Sequence, residues 1–287
     1  MSRVLVTGAT GHTGSLVAVE LAARGVRVRA ASRKGALPVA AGREVDAEPM
    51  RFDWHDEATH EAALRDVDAV YLVAPALVAD PAEVMVGFID RARAMGVRRF
   101  VLLSTSAIDE HGGGLGRVHR ALIDRAPEWA ALRPSWFMQN FVDPAQPHAR
   151  SLRERGVIAT ATGDGRVGFV DAADIAAVAV RALIDATPHN TAHVITGPEA
   201  LRYDDVAAIL SEVTGRALRH EHVSRDEVVA RLVAFGLPSA YAELLAGLDE
   251  AIRAGAEARV TDVVREVTGR APRSLRAFAR AHAGALG

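Results

Sequence analysis

Three glycines, Gly8, Gly11 and Gly14, stand three residues apart directly behind the apolar run Val4-Leu5-Val6 and directly ahead of an amphipathic stretch that opens at His12. Between a strand and a helix this spacing has a defined chemistry. The first glycine permits a tight turn, the second lets backbone approach a pyrophosphate without a Cβ, and the third lets the helix pack closely on the strand. The N–H groups that open the helix then face the anion. Thr7, Gly8, Thr10, Gly11, His12, Thr13 and Gly14 therefore read as a dinucleotide cradle, with an ordinary glycine turn as the plainer alternative.

The nucleotide is selected further on. A protein specific for NAD places an acid at the end of the second strand to hold a ribose 2′-hydroxyl. Here that segment ends in Ser32-Arg33-Lys34, a hydroxyl and two cations, which suits the 2′-phosphate of NADP(H). Solvated charges after a strand are the alternative reading of Arg33 and Lys34. Asp53, at the end of the third strand, either contacts the adenine edge or is a polar strand terminus.

Other residues offer proton chemistry. Ser104 and Ser106 lie at the carboxyl end of a strand, where open α/β sheets bind ligands, and either hydroxyl can bond a substrate oxygen or hold a water. Bonding to their own loop backbone fits them equally well. His119 titrates nearest neutrality and is a proton-donor choice; a partly buried structural histidine fits as well. Trp136 and Phe137 can stack on an aromatic substrate, although core packing is the commoner fate of such side chains. Asn140 joins them as a substrate contact or a simple cap. His220 and His222 share one face of a strand, but no third ligand stands near them in the sequence, so no metal site is expected. Gly112-Gly113-Gly114 reads as a mobile loop that closes over substrate or merely connects.

These residues need a scaffold, and the chain supplies an alternating one. Strand-like runs at Arg3–Thr7, Val26–Ser32, Met50–Asp53, Ala69–Val73, Phe100–Ser104 and Trp129–Arg133 are separated by helical patterns at His12–Arg24, Asp56–Arg65, Pro81–Met95 and Leu115–Ala126. Strands joined through helices form a parallel sheet covered on both faces. Beyond residue 134 the rhythm changes: Val157–Thr160 and Arg166–Val170 read as a hairpin around Gly163-Asp164-Gly165, Asp171–Ala186 as a helix, Ala192–Thr196 as a strand, and most of the chain from Tyr203 onward as helices. The expectation is an α/β protein with a Rossmann-type doubly wound parallel sheet and a smaller, mostly helical C-terminal substrate region. Residues 1–134 form the dinucleotide-binding domain and 135–287 the substrate region, interleaved with the core and walling a substrate cleft.

Composition narrows the classes. With 34 Lys+Arg against 36 Asp+Glu, the net charge of −2 gives no electrostatic reason to expect nucleic acid or an anionic membrane as partner. The absence of cysteine excludes disulfides, zinc–thiolate sites and thiol nucleophiles. No long apolar run precedes the glycine turn, so a cytoplasmic protein acting on a small molecule, as monomer or homodimer, is expected.

The glycine pattern together with Phe52-Asp53-Trp54, the run from Val70 to Ala74-Pro75, Val101–Ser104 and Leu132–Phe141 resembles the NmrA-like atypical short-chain dehydrogenase/reductases over nearly the whole chain. Within them it is most similar to the branch holding the agroclavine-dehydrogenase-type reductases of ergot alkaloid biosynthesis. The resemblance implies NADP(H) binding, with Ala74, Pro75 and Ser104 joining the cofactor contacts, and NADPH-dependent reduction of a small cyclic or aromatic imine, enone, quinone or ketone in secondary metabolism. It also leaves open a non-catalytic NADP(H)-sensing regulator of the NmrA type. One departure stands out: short-chain dehydrogenases pair Tyr with Lys four residues on, whereas Lys34 is the only lysine here and none of Tyr71, Tyr203 and Tyr241 has one at that spacing.

Overall fold

Period-2 runs become strands and period-3.6 stretches become helices in the computed structural model, within two residues of the expected bounds in the first half of the chain except at Asp56–Arg65, where a 3-10 turn over Glu57–Thr59 leaves the α-helix only His60–Leu64. The structure describes residues 3–40 and 43–286. In order come β1 (Arg3–Thr7), α1 (His12–Ala23), β2 (Arg27–Ser32), a short antiparallel pair β3 (Val39–Ala40) and β4 (Arg43–Glu44), and β5 (Glu48–Arg51). Then follow α2 (His60–Leu64), β6 (Ala69–Val73), α3 (Ala82–Ala94), β7 (Arg99–Leu103), α4 (Leu115–Arg125) and β8 (Glu128–Pro134). The remainder contains α5 (Pro147–Arg155), β9 (Val157–Thr160), α6 (Ala172–Ile184), β10 (Thr191–Ile195), α7 (Tyr203–Thr214) and β11 (Arg219–His222). It closes with α8 (Arg225–Phe235), α9 (Ser239–Arg253), α10 (Val263–Thr268), α11 (Leu275–Ala281) and α12 (Ala283–Leu286).

The backbone divides into two units: one runs to Pro134 and includes Ala172–Val194, the other holds Ser135–Asp171 and the chain from Ile195. The first carries a seven-stranded sheet of order β10-β8-β7-β6-β1-β2-β5. β1 pairs in parallel with β2 and β6, β2 with β5, β6 with β7, and β7 with β8. Alternate residues Leu5, Val70, Leu72, Phe100 and Leu102 enter one core with Met85, Phe88 and Ile89 of α3 and Val118 and Leu122 of α4. The intervening Val4, Val6, Tyr71 and Val101 are buried too, on the face where α1 packs on α6, so the sheet is covered on both sides. This is a Rossmann-type fold.

Alternation also decides the segment after β5. Phe52 and Trp54 turn inward and meet edge to face at 5.0 Å, while Asp53 between them turns outward. The Trp54 indole N–H donates to the Val73 carbonyl at 3.1 Å, which ties this segment to the end of β6.

The second unit is mostly helical around Phe141, Phe169, Tyr203, Leu210 and Phe278. Its small sheet corrects the expected hairpin. β9 pairs in parallel with β11, while Val167 bridges Leu201 and Val170 bridges Phe137. The turn at Gly163-Asp164-Gly165 forms, but a Cβ on Gly165 would collide with the Ile252 carbonyl, so the chain is pressed onto the end of α9 and does not fold back on β9. The edge of β9 is taken instead by β11, through Arg219 N–H to Gly156 and Val223 N–H to Thr160.

Among the described residues no helix is long and apolar enough to cross a membrane.

Candidate functional site

Parallel register sends the carboxyl ends of β1, β2, β6 and β7 to one edge of the sheet, so Gly8, Ser32, Ala74 and Ser104 emerge along the same rim. The glycine turn sits at its centre. Gly8 has φ +61°, a left-handed conformation, and a Cβ on Gly14 would strike the Gly8 carbonyl oxygen. The start of α1 thus rests directly on the turn. No side chain caps α1 at Gly11, and first-turn N–H groups have no intrahelical carbonyl to reach. Thr10 and Gly11 are exposed and His12 is half-buried. Bare backbone around an uncapped helix start fits a pyrophosphate.

The two threonines of the turn work from beneath. The Thr7 hydroxyl accepts from the Val73 N–H at 2.8 Å and donates to the Tyr71 carbonyl at 3.0 Å, bridging β1 to β6. The Thr13 hydroxyl accepts from the Tyr71 phenol at 3.0 Å. Burial pushes the Tyr71 phenol well above its ordinary pKa. Both hydroxyls are buried supports of the turn, and Tyr71 is a support that sequence reasoning missed.

At the end of β2 the Ser32 hydroxyl accepts from the Ala36 N–H at 2.9 Å, closing a loop that presents Arg33 and Lys34 to solvent. Neighbouring cations are engaged. Arg29 is buried, forks onto Glu48 and donates to the carbonyls of Ala62, Ala63 and Arg65. Arg51, opposite Ser32 in register, pairs with Asp56 at 3.2 Å. Among the described residues Arg33 and Lys34 have no ion-pair partner. The Asp53 carboxylate accepts from the His55 N–H at 3.0 Å, and Ala74 and Pro75 lie half-buried after β6.

Beside β7 the polar groups are less satisfied. Ser104 is buried and its hydroxyl has no partner. The Ser106 N–H donates to the Pro134 carbonyl at 2.9 Å, and the Ser106 carbonyl accepts from Arg133 at 3.0 Å. His119, on α4, lies against Trp129 with both ring nitrogens buried and without hydrogen-bond partners; Glu110 Oε2 is 4.0 Å from Nδ1. Burial lowers the pKa of His119, partly opposed by the Glu110 carboxylate, so it is held neutral near pH 7. Orphaned buried polar atoms of this kind are uncommon and gather where ligands bind. Arg133, whose Nε is also buried without a partner, is a second residue that sequence reasoning left aside.

The remaining expected contacts belong to the second unit. Trp136 and Phe137 are half-buried; Trp136 packs against the Phe141–Tyr203 core and its carbonyl accepts from the Val170 N–H, while the Asn140 N–H closes a 3-10 turn onto Phe137. Within Gly112-Gly113-Gly114 the outer two are packed, since a Cβ on Gly112 would strike the Ile108 side chain and one on Gly114 would sit 3.1 Å from the Ala79 carbonyl, while Gly113 is exposed with open space around it. A third partner for His220 and His222 does exist, contrary to expectation. It is Asp204, in the first turn of α7.

The comparisons with known proteins follow the same lines. The NmrA-like family model matches residues 1–265. The uncharacterized oxidoreductase YesF of Bacillus subtilis is 48% identical over 98% of this chain and 95% of its own length. An agroclavine dehydrogenase of Claviceps fusiformis is 40% identical over 79% of this chain and 81% of its own. An NADPH-dependent quinone oxidoreductase of Escherichia coli, solved with NADPH, superposes with a TM-score of 0.76 at 24% identity, covering 97% of this chain and 98% of that one. With a family match across most of its length and full-length relatives at this identity, the chain belongs to the NmrA-like family.

Proposed function

We propose that this chain is an NADPH-dependent reductase of a small cyclic or aromatic imine, enone, quinone or ketone. The observation that carries the reading is the unpaired couple Arg33 and Lys34 at the end of β2, where an NAD protein would place an acid, on the same rim as the uncapped start of α1. Gly8–Gly14 would hold the pyrophosphate, and Arg33 and Lys34 the 2′-phosphate. When bound, NADPH supplies the hydride. Oxidoreductase relatives at 40% and 48% identity support this chemistry.

What the chain's own residues do depends on the substrate. An iminium already carries the charge that favours hydride attack, so a chain without a Tyr–Lys pair suffices if it orients the substrate. A ketone needs a proton, and the buried, unpartnered Ser104 hydroxyl and His119 imidazole are the groups at hand, directly or through a water on Ser104 or Ser106. Trp136, Phe137 and Asn140 are the proposed substrate contacts of the second unit.

The test is consumption of NADPH by the purified full chain with a panel covering these four substrate classes, run beside NADH. Turnover of at least one class with NADPH preferred is expected. Tight NADPH binding with no turnover across the panel would replace this reading with that of an NADP(H)-sensing regulator.

A further inference from the structure

We propose that Asp204, His220 and His222 form a binding site for one divalent transition-metal ion. The three residues sit on fixed elements. His220 and His222 are alternate residues of β11, on the same face of that strand, and β11 is locked to β9 with His220 opposite Ile158 and His222 opposite Thr160. Asp204 is in the first turn of α7, a helix opened by the reciprocal bonds of Arg202 and Asp205 and packed on β11.

The distances are those of a coordination shell. Asp204 Oδ2 lies 3.2 Å from His220 Nδ1 and 3.4 Å from His222 Nε2, and one ligand atom from each residue falls within 4.8 Å of the others. Ligands held about 2.0–2.1 Å from a tetrahedral zinc ion are separated by about 3.3 Å. Two imidazoles and one carboxylate are a borderline donor set, suited to Zn2+, Co2+ or Ni2+ rather than to Ca2+ or Mg2+.

The outer shell agrees. The His220 side chain is fully buried, and its Nε2 lies 2.8 Å from the Thr160 hydroxyl, itself 2.7 Å from that of Thr162. The tautomer that donates from Nε2 to Thr160 leaves the Nδ1 lone pair aimed at the Asp204 side, as in metal sites where an oxygen orients the ligating histidine. Asp164 adds negative charge near His220, and Arg202, a cation that acts on Asp204, is occupied by Asp205 at 3.0 Å and by Asp164 at 3.7 Å. His222 and Asp204 remain 51% and 39% exposed, so the fourth position opens to solvent. A bound ion would fasten α7 to β11 and, through His220, to Thr160 at the end of β9.

The experiment is titration of the tag-free, chelator-treated full chain with Co2+, read by visible absorption, followed by displacement with Zn2+ and by thermal melting with and without Zn2+. One equivalent is expected to bind with the absorption of a four-coordinate ion, and Zn2+ is expected to raise the melting temperature. Loss of a ligand should weaken binding more than the 10–100-fold typical of outer-shell changes, so His222→Ala and Asp204→Asn should each lose about 100-fold or more. His111→Ala, an exposed histidine elsewhere, should bind as wild type does. No saturable binding by the wild type, or equal binding by the wild type and His222→Ala, would overturn the proposal and leave the cluster as a hydrogen-bonded ion pair in which Nδ1 donates to Asp204.

Discussion

The Tyr71 phenol on β6 donates to the Thr13 hydroxyl in the first turn of α1 at 3.0 Å, both groups buried, so the strand beside the glycine turn holds up the helix that the turn launches. Tyr71 therefore serves position rather than proton transfer, since burial keeps its phenol protonated far above neutral pH. Tyr71→Phe leaves Thr13 short of a partner and should cost about 1–2 kcal/mol in denaturant unfolding. NADPH affinity should fall modestly and kcat should persist. A variant with native stability and affinity but no turnover would contradict this role.

The proposed preference for NADPH rests on two exposed side chains. Replacing Arg33 and Lys34 together by Ala should weaken NADPH binding by about 2–4 kcal/mol, since each charge-assisted bond is worth about 1.5–3 kcal/mol and neighbours add incompletely. NADH binding should hardly change. Calorimetry with both nucleotides checks this, and equal losses for the two would refute the assignment.

His119 combines a stability cost with a proposed use. Both ring nitrogens are buried and unpartnered, and burial lowers the pKa from 6.5. The folded state then binds the proton less well than the unfolded one, so this contribution to stability is present above about pH 6.5 and is lost as pH falls below it. His119→Leu should raise the melting temperature, most clearly in acid, because it removes polar atoms that lack partners. Held neutral, the imidazole can act on a ketone as an N–H hydrogen-bond donor to the developing alkoxide, so ketone reduction should fall by about 10²–10³-fold while an iminium substrate is unaffected. A stabilised variant that reduces ketones at the wild-type rate would assign the proton to another group.

Much of this was legible in the sequence because it is local. The glycine turn, the cations after β2 and the helix and strand limits of the first unit depend on neighbours a few residues away. The Tyr71–Thr13 bond joins residues 58 positions apart, and Asp204 lies 16 positions from His220, so neither pairing leaves a mark in spacing. The hairpin expected at Val157–Val170 failed for the same reason. Its turn residues were read properly, but the partner of β9 arrives some sixty residues later, as the pairing of Thr160 with His222 shows. Gly112-Gly113-Gly114 read as a mobile loop in sequence, and only the Ala79 carbonyl, 35 positions away, reveals that Gly114 has little room for a side chain.

Asp249 offers a test in the second unit. Its half-buried carboxylate accepts from the Ala161 N–H at 2.9 Å, and burial raises its pKa from 3.8 to about 6. The folded state holds this proton more tightly than the unfolded one, so the contribution is full below about pH 4 and is lost as pH rises through about 6. Asp249→Asn can keep the Ala161 bond without the charge. It should stabilise the protein above pH 6, by about 1–3 kcal/mol, and leave it unchanged near pH 4. Thermal melts across that range decide it; a loss of stability at pH 8 would show that the charge is favourable.

The central claim is hydride transfer from NADPH to a small organic substrate. The direct measurement is mass spectrometry of products formed by the purified chain from NADPH deuterated at nicotinamide C4, with the imine, enone, quinone and ketone panel. A single deuterium in the product of at least one class, from one C4 face of the nicotinamide, is the predicted result. Because quinol hydroxyls exchange deuterium with water, the contradicting result is NADPH that binds tightly but leaves no deuterium in any imine, enone or ketone product and reduces no quinone.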